Sequence, residues 1–172
     1  MIPQIKRILY ATDLSDNLTY VFRYAIDSAK KYDAVIIILH VLEELSPTAN
    51  AITHSHLTKE EVNRISEENS AYVKDHIKKQ LKIFCEKELK NDSECADRVE
   101  SIELCGGFPP DVILRKADEF NCDVIVMGTH GKGIIRNTFL GSSSRRVLRR
   151  TRKPVFIIPL PREEADIGLG DI

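Results

Sequence analysis

The 172-residue sequence predicts a single α/β domain with a doubly wound, five-stranded parallel sheet and helices on both faces. Apolar runs, which predict strands, alternate with amphipathic stretches, which predict helices. The first and the last of these predicted elements are strands. Two of the runs, Ala34–Val41 and Asp123–Met127, are apolar at nearly every position, which is typical of strands covered on both faces. No internal repeat or linker divides the chain, so we expect a domain at residues 1–160 and a disordered tail at 161–172.

The first elements follow from apolar periodicity. Ile5–Tyr10 is a short run typical of a strand, and residues that cap helices follow it in Ala11–Asp16. Apolar residues then recur at steps of three and four from Leu18 to Ala29, which places one apolar stripe on a helix. The apolar run Ala34–Val41 follows this helix and predicts a central parallel strand.

The middle of the chain contains a long predicted helix. Residues 43–57 are polar and irregular. Thr58 and Glu61 then have the spacing of a capping box, in which two side chains bond the first amides of a helix. Apolar residues continue at helical spacing to Leu89, so we predict that the helix ends near that residue.

The second half contains three more strands and two more helices. Arg98–Cys105 alternates as a strand does, and the break at Gly106–Asp111 places proline at a helix start. This helix is predicted to end near Asn121. The remaining elements are a strand at Asp123–Met127, a helix at Ser142–Thr151 and a strand at Pro154–Pro159.

Composition argues against several classes of protein. Lys and Arg number 25 against 26 Asp and Glu, and the net charge of -1 gives no reason to expect nucleic acid or an anionic membrane as partner. No apolar run approaches the roughly 20 residues that span a bilayer, and the first residues lack the apolar segment of a secretory signal. We therefore expect a soluble, cytoplasmic protein. The four cysteines form no C-x2-C pair, so we expect reduced thiols and no structural zinc.

The most informative motif follows the predicted fourth strand. Gly128 and Gly131 are separated by two residues, and nine residues later Gly141 precedes the serines Ser142–Ser144 at a predicted helix start. Glycine lets the backbone turn tightly and approach a ligand, and a helix start has free amide donors. The pattern predicts a cradle for phosphate. The alternative is that the first two glycines only turn the chain out of a strand.

Other phosphate-binding motifs fit less well. Gly131-Lys132-Gly133 suggests a dinucleotide-binding turn, but Arg136 replaces the third glycine and the motif does not follow the first strand. The Walker sequence GxxxxGK[ST] is absent. Hydrolysis of the ordinary P-loop kind is therefore not expected.

Several motifs together resemble those of the nucleotide-binding branch of the universal stress protein family. They are Ala11–Ser15, Leu39–Val41, Met127–Gly131 and Gly141–Ser143 with the spacing G-x2-G-x9-G-[ST], and Lys153–Val155 at the start of the last strand. The resemblance covers residues 5–160 and implies the strand order 3-2-1-4-5. Strands one and four would then be neighbours at the point where the strand order reverses, which is where doubly wound folds bind ligands.

Carried over residue by residue, the resemblance implies a site for ATP, ADP or AMP with Mg²⁺. Asp13 would contact the sugar or adenine, and the backbone of Val41 would contact the adenine edge. The base and ribose side would be lined by Met127 and Gly128, and the phosphates would be surrounded by Gly131, Gly141, Ser142 and Ser143. The remaining predicted contacts are Ala11, Thr12 and His130. The family often has proline at the position of Ala11. Asp13 as a helix cap and His130 as an exposed loop residue are the alternatives.

Two further clusters have competing interpretations. His54 and His56 have the types of side chain that bind metals, but no Cys or carboxylate cluster accompanies them, so we expect them to be solvated. A basic cluster lies on and just after the predicted fourth helix: Arg145, Arg146, Arg149, Arg150, Arg152 and Lys153. Cations suit the C-terminal end of a helix, so we expect a solvated face, with nucleic-acid binding as the alternative.

Two functions follow from these observations. The first is a regulatory module that binds an adenine nucleotide without efficient catalysis. The second is a slow ATPase or nucleotidyl-transfer enzyme, which would need a base or nucleophile beside the phosphates. The sequence places none there except Asp13 with a metal, so we predict binding.

The last strand also predicts an assembly. Val155–Ile158 lies between Pro154 and Pro159, and proline is tolerated at strand ends and sheet edges. An apolar edge strand needs cover, and the same strand of a second copy would supply it about a two-fold axis. This arrangement also resembles how members of the family dimerise. We therefore predict a homodimer through this strand.

Overall fold

A computed structural model describes residues 2–14, 18–42, 59–90, 97–129 and 140–159. Several predictions fall outside these residues: the polar segment 43–57 with His54 and His56, the start of the capping box at Thr58, and the tail 161–172. The described residues contain every strand and helix that the periodicity predicts.

Strands and helices alternate along the chain. They are β1 (Arg7–Thr12), α1 (Leu18–Tyr32), β2 (Val35–Leu42), α2 (Lys59–Glu88), β3 (Val99–Gly106), α3 (Pro109–Glu119), β4 (Val124–Gly128), α4 (Ser142–Arg150) and β5 (Val155–Ile158). The first strand begins and ends two residues later than predicted. It continues to Thr12 because that residue still pairs with His40 of β2.

All neighbouring strands pair in parallel, in the order β3-β2-β1-β4-β5. This is the predicted fold class and the strand order that the family resemblance implied. Alternate residues of β1 enter two different cores. Ile8 and Tyr10 pack beneath α1 and α2, whereas Leu9 and Ala11 pack beneath α3 and α4. The sheet is therefore covered on both faces, which explains why its central strands are apolar throughout.

Two helices end at a residue in the left-handed backbone region. Asp33 after α1 has φ 52, and Asn121 after α3 has φ 51. Asp and Asn tolerate this conformation better than most residues. The next amide in each case bonds back into the helix, Ala34 to Ala29 at 2.9 Å and Cys122 to Ala117 at 2.8 Å. These turns lead directly into β2 and β4, the strands on either side of β1.

No helix in the described part of the chain combines the length and apolarity needed to cross a membrane.

Candidate functional site

The site predicted from the sequence lies where the strand order reverses, at the carboxyl edge of β1 and β4. The last paired residues of these strands are Tyr10 and Val126. Two positions further along the two strands are Thr12 and Gly128. The two loops that carry most of the predicted contacts therefore leave the sheet side by side.

The start of α4 is fixed against the end of β4. The amide of Gly141 donates to the carbonyl of Thr129 at 2.7 Å. The hydroxyl of Ser144 donates to the carbonyl of Gly128 at 2.9 Å. Ser144 and Thr129 are each only 4% exposed. Since these bonds join the strand end to the helix start directly, the helix start has a defined place at the site.

The N-terminus of α4 has the properties of an anion site. Gly141 is the N-cap, and no side chain of the described residues caps the helix. The first bond within the helix runs from the Arg145 amide to the Gly141 carbonyl at 3.0 Å. The amides of Ser142 and Ser143 thus have no acceptor within the helix, and the helix dipole makes this end positive. Ser142 is exposed and Ser143 is half-buried, and no described residue accepts a hydrogen bond from either amide.

The neighbouring helix start, that of α3, cannot compete for an anion. Its first two residues, Pro109 and Pro110, have no amide hydrogen. The next two amides, those of Asp111 and Val112, both donate to the Phe108 carbonyl at 3.1 Å. Among the described residues, the first turn of α3 therefore has its helix amides paired or replaced by proline, whereas Ser142 and Ser143 of α4 have amides with no acceptor in their helix.

A short turn positions the predicted nucleotide contact Asp13. The Leu14 amide donates to the Thr12 hydroxyl at 3.2 Å, and Leu14 has φ 59. The ring of His40, which is 6% exposed, donates from Nδ1 to the Thr12 carbonyl at 2.8 Å. These two bonds hold the end of β1, so the half-buried Asp13 follows a fixed residue.

Tyr10 fixes the other side of the same loop. Its phenol donates to the carbonyl of Leu18, the first residue of α1, at 3.0 Å. Burial raises the pKa of the Tyr10 phenol, so the group stays neutral and keeps its proton for this bond. The loop between β1 and α1 therefore has both of its ends attached to the core.

Comparison with known proteins identifies the family. The sequence profile of the Universal stress protein family matches residues 4–159. The chain belongs to the universal stress protein family. The match extends over the part of the chain in which the motifs resembled that family.

Two universal stress proteins illustrate the relationship. Universal stress protein MJ0577 of Methanocaldococcus jannaschii is 27% identical over 153 residues, which cover 89% of this chain and 94% of the relative. The solved structure of MJ0577 has a TM-score of 0.67 at 22% identity and covers 94% of this chain and 100% of that one. A universal stress protein in complex with cAMP has a TM-score of 0.51 at 21% identity, with 91% and 98% covered. These structures share the fold of the present chain.

The predicted site residues of this universal stress protein occupy two kinds of position. Thr12, Asp13 and Gly128 lie at the open edge, as do the residues that begin α4, Gly141, Ser142 and Ser143. The side chains of Ala11, Val41 and Met127 are buried in the core beneath α3 and α4. His130 and Gly131 lie outside the described residues, so their roles stay predictions.

Three residues have positions that the sequence patterns did not indicate. The Ser144 hydroxyl bonds the Gly128 carbonyl, so it supports the helix start and is not a donor for a ligand. His40 and Thr129 are buried and bond neighbouring backbone. Of these three positions, only that of His40 had a signal in the sequence, because it is a polar residue within an apolar strand. Among the described residues, no three His, Cys, Asp or Glu side chains are grouped as a metal site.

Proposed function

We propose that this universal stress protein binds ATP with Mg²⁺ and acts as a cytoplasmic regulatory module without efficient catalysis. The observation that carries the proposal is the start of α4: free amides, fixed against β4, at the point where the strand order reverses. Backbone amides at a helix N-terminus are suited to phosphate. The proposed unit is residues 1–160, and the tail 161–172 lies outside it.

The proposed binding mode places the nucleotide along the edge from β2 to α4. The adenine lies beside the backbone of Val41, and Asp13 contacts the sugar or the adenine. Gly128 allows close approach, and the phosphates occupy the start of α4 near Ser142 and Ser143. The universal stress protein that was crystallised with cAMP binds a ligand with adenine, ribose and phosphate, which are the three groups assigned here.

Calorimetry with ATP, ADP and AMP tests this proposal. We expect a dissociation constant in the micromolar range, which corresponds to roughly -8 kcal/mol. Mass spectrometry of small molecules that co-purify with the protein identifies the ligand independently. The absence of any heat of binding with all three nucleotides at high protein concentration would overturn the proposal.

We also propose that the protein is a homodimer through β5. This strand is the last of the sheet, and all four of its residues are half-buried. The ring of Phe156 lies 6.5 Å from that of Tyr32, which is 46% exposed, so apolar surface continues from the strand onto α1. An antiparallel pairing of two β5 strands about a two-fold axis would cover this edge and leave one nucleotide site per subunit.

Sedimentation at micromolar concentration tests the assembly. We expect a dimer for the parent and a monomer for Phe156→Lys, with Tyr20→Lys on the outer side of α1 as the matched control. A melting curve shows whether each variant is folded. A parent protein that sediments as a monomer would refute the dimer and leave the nucleotide proposal unaffected.

A further inference from the structure

Two arginine side chains lie at the N-terminal end of α4. The Nη2 atom of Arg145 donates to the carbonyl of Leu140, the residue before the N-cap, at 3.1 Å. The guanidinium carbon of Arg146 lies 5.0 Å from the centre of the Phe108 ring. Phe108 is the N-cap of α3, so it stands at the same edge of the sheet. Helical side chains lean toward the N-terminus of their helix, which brings both guanidinium groups back over the first turn.

Positive charge at this end of a helix is unfavourable unless an anion accompanies it. The helix dipole already makes the N-terminus positive, so cations are expected at the opposite end. Among the described residues, no carboxylate pairs with Arg145 or Arg146. By contrast, two cations of the same cluster further along the chain are neutralised: Arg150 pairs with Asp111, and Lys153 with Asp118 at 3.3 Å.

The contact with Phe108 leaves Arg146 able to bind. A cation over an aromatic ring uses only the face of the planar guanidinium group, and the five N–H donors lie in the plane. The ring itself is 46% exposed, so it holds the guanidinium group at the surface. Guanidinium donors in such a fixed plane match the oxygens of a phosphate group.

We infer that Arg145 and Arg146 contact the β- and γ-phosphates of the bound nucleotide, so that the site prefers nucleoside di- and triphosphates to monophosphates. This inference rests on the proposed function. A helix N-terminus carries about half an elementary positive charge, so each further phosphate group adds negative charge that the helix does not neutralise. The two guanidinium groups add positive charge and directed N–H donors beside the same helix start, in addition to the Mg²⁺ of the proposed ligand.

Calorimetry with ATP, ADP and AMP tests the inference on the parent and four single variants. Arg145→Gln and Arg146→Gln each remove one guanidinium group at the helix start. Arg149→Gln and Arg152→Gln are matched controls, because they remove the same charge from exposed positions beyond the first turns of α4. For Arg146→Gln we expect ATP affinity to fall about tenfold, which is about 1.4 kcal/mol, and AMP affinity to change less than about twofold.

Two conservative variants separate position from charge. Arg146→Lys keeps the charge but not the planar donors, and Phe108→Leu keeps the guanidinium group but not its platform. We expect each to lose part of the preference for ATP over AMP, with an unchanged melting temperature for Arg146→Lys.

Two results would overturn the inference. One is an equal loss of ATP and AMP affinity in Arg145→Gln and Arg146→Gln. The other is a loss of ATP affinity no larger than that of the control variants. In both cases a parent protein that binds nucleotide leaves the proposed function intact. A parent that binds none of the three nucleotides would overturn the proposed function as well.

Discussion

Replacement of Ser142 by proline removes one amide donor from the proposed phosphate site without disturbing the helix. Ser142 is the first residue of α4, where proline is favoured because the lost amide has no partner within the helix. The preceding residue, Gly141, has ψ 162, which is close to the extended conformation that a residue before proline adopts. The same arrangement already exists at the start of α3, where Pro109 follows Phe108.

The expected loss of affinity follows from the type of bond that is removed. A hydrogen bond to a charged acceptor contributes about 1.5–3 kcal/mol, and the lower value applies here because Ser142 is exposed. We therefore expect ATP affinity to fall about tenfold in Ser142→Pro. Ser142→Ala removes only the hydroxyl and keeps the amide, so its loss should be about two- to fivefold, or about 0.5–1 kcal/mol.

Calorimetry with ATP measures both affinities, and thermal unfolding checks the fold. We expect melting temperatures within about 2 °C of the parent, because a surface change of this kind alters stability by less than about 0.5 kcal/mol. If folded Ser142→Pro bound ATP as tightly as Ser142→Ala, the amide would not be a ligand donor. The start of α4 would then not be the phosphate site.

Three further predictions concern stability and chemistry. Ser144→Ala should lower the free energy of unfolding by about 1–2 kcal/mol in urea titrations, because it removes a buried hydrogen bond; a change as small as that of Ser142→Ala would contradict this. Burial raises the pKa values of Cys85 and Cys122 from 9.0 to about 11, so the free energy of unfolding should fall between these pH values as thiols of the unfolded chain ionise first. Replacement of both cysteines by alanine should reduce that pH dependence. If the free energy of unfolding fell with pH equally steeply in the double variant, the two thiols would not be its cause. ATP turnover should be absent or very slow in a steady-state phosphate-release assay, and a rate of several per second that Asp13→Asn abolishes would favour an enzyme.

The elements of the fold could be predicted because each depends on local periodicity. Their ends were less predictable where a distant residue decides them. The fourth strand was predicted to begin at Asp123, but it begins at Val124. The carboxylate of Asp123 instead accepts the amides of Lys6 and Arg7 at 2.8 and 2.9 Å. These partners are more than a hundred residues away in the sequence, so periodicity carries no signal of the contact.

The helix start at the candidate site was predictable because it, too, depends on a local pattern. Glycine and serine at a helix start are a local signal, and the structure places Gly141 and Ser142 at one. The strand order, in contrast, followed from the family resemblance and not from the residues alone. The pairing of Arg146 with Phe108 depends on how α3 packs beside α4, which no local pattern encodes.

Two backbone hydrogen bonds of Thr129 connect the start of α4, the proposed phosphate site, to the sheet. The Thr129 amide donates to the Ile158 carbonyl at the end of β5 at 3.1 Å, and the Thr129 carbonyl accepts the Gly141 amide at 2.7 Å. Thr129 thus joins the edge strand, the end of β4 and the start of α4 through its own two backbone groups. Both bonds join backbone atoms alone, so a side-chain substitution removes neither, apart from proline in place of Thr129 or Gly141. The start of α4, where the proposed phosphate site lies, is therefore tied to the sheet through the backbone of Thr129.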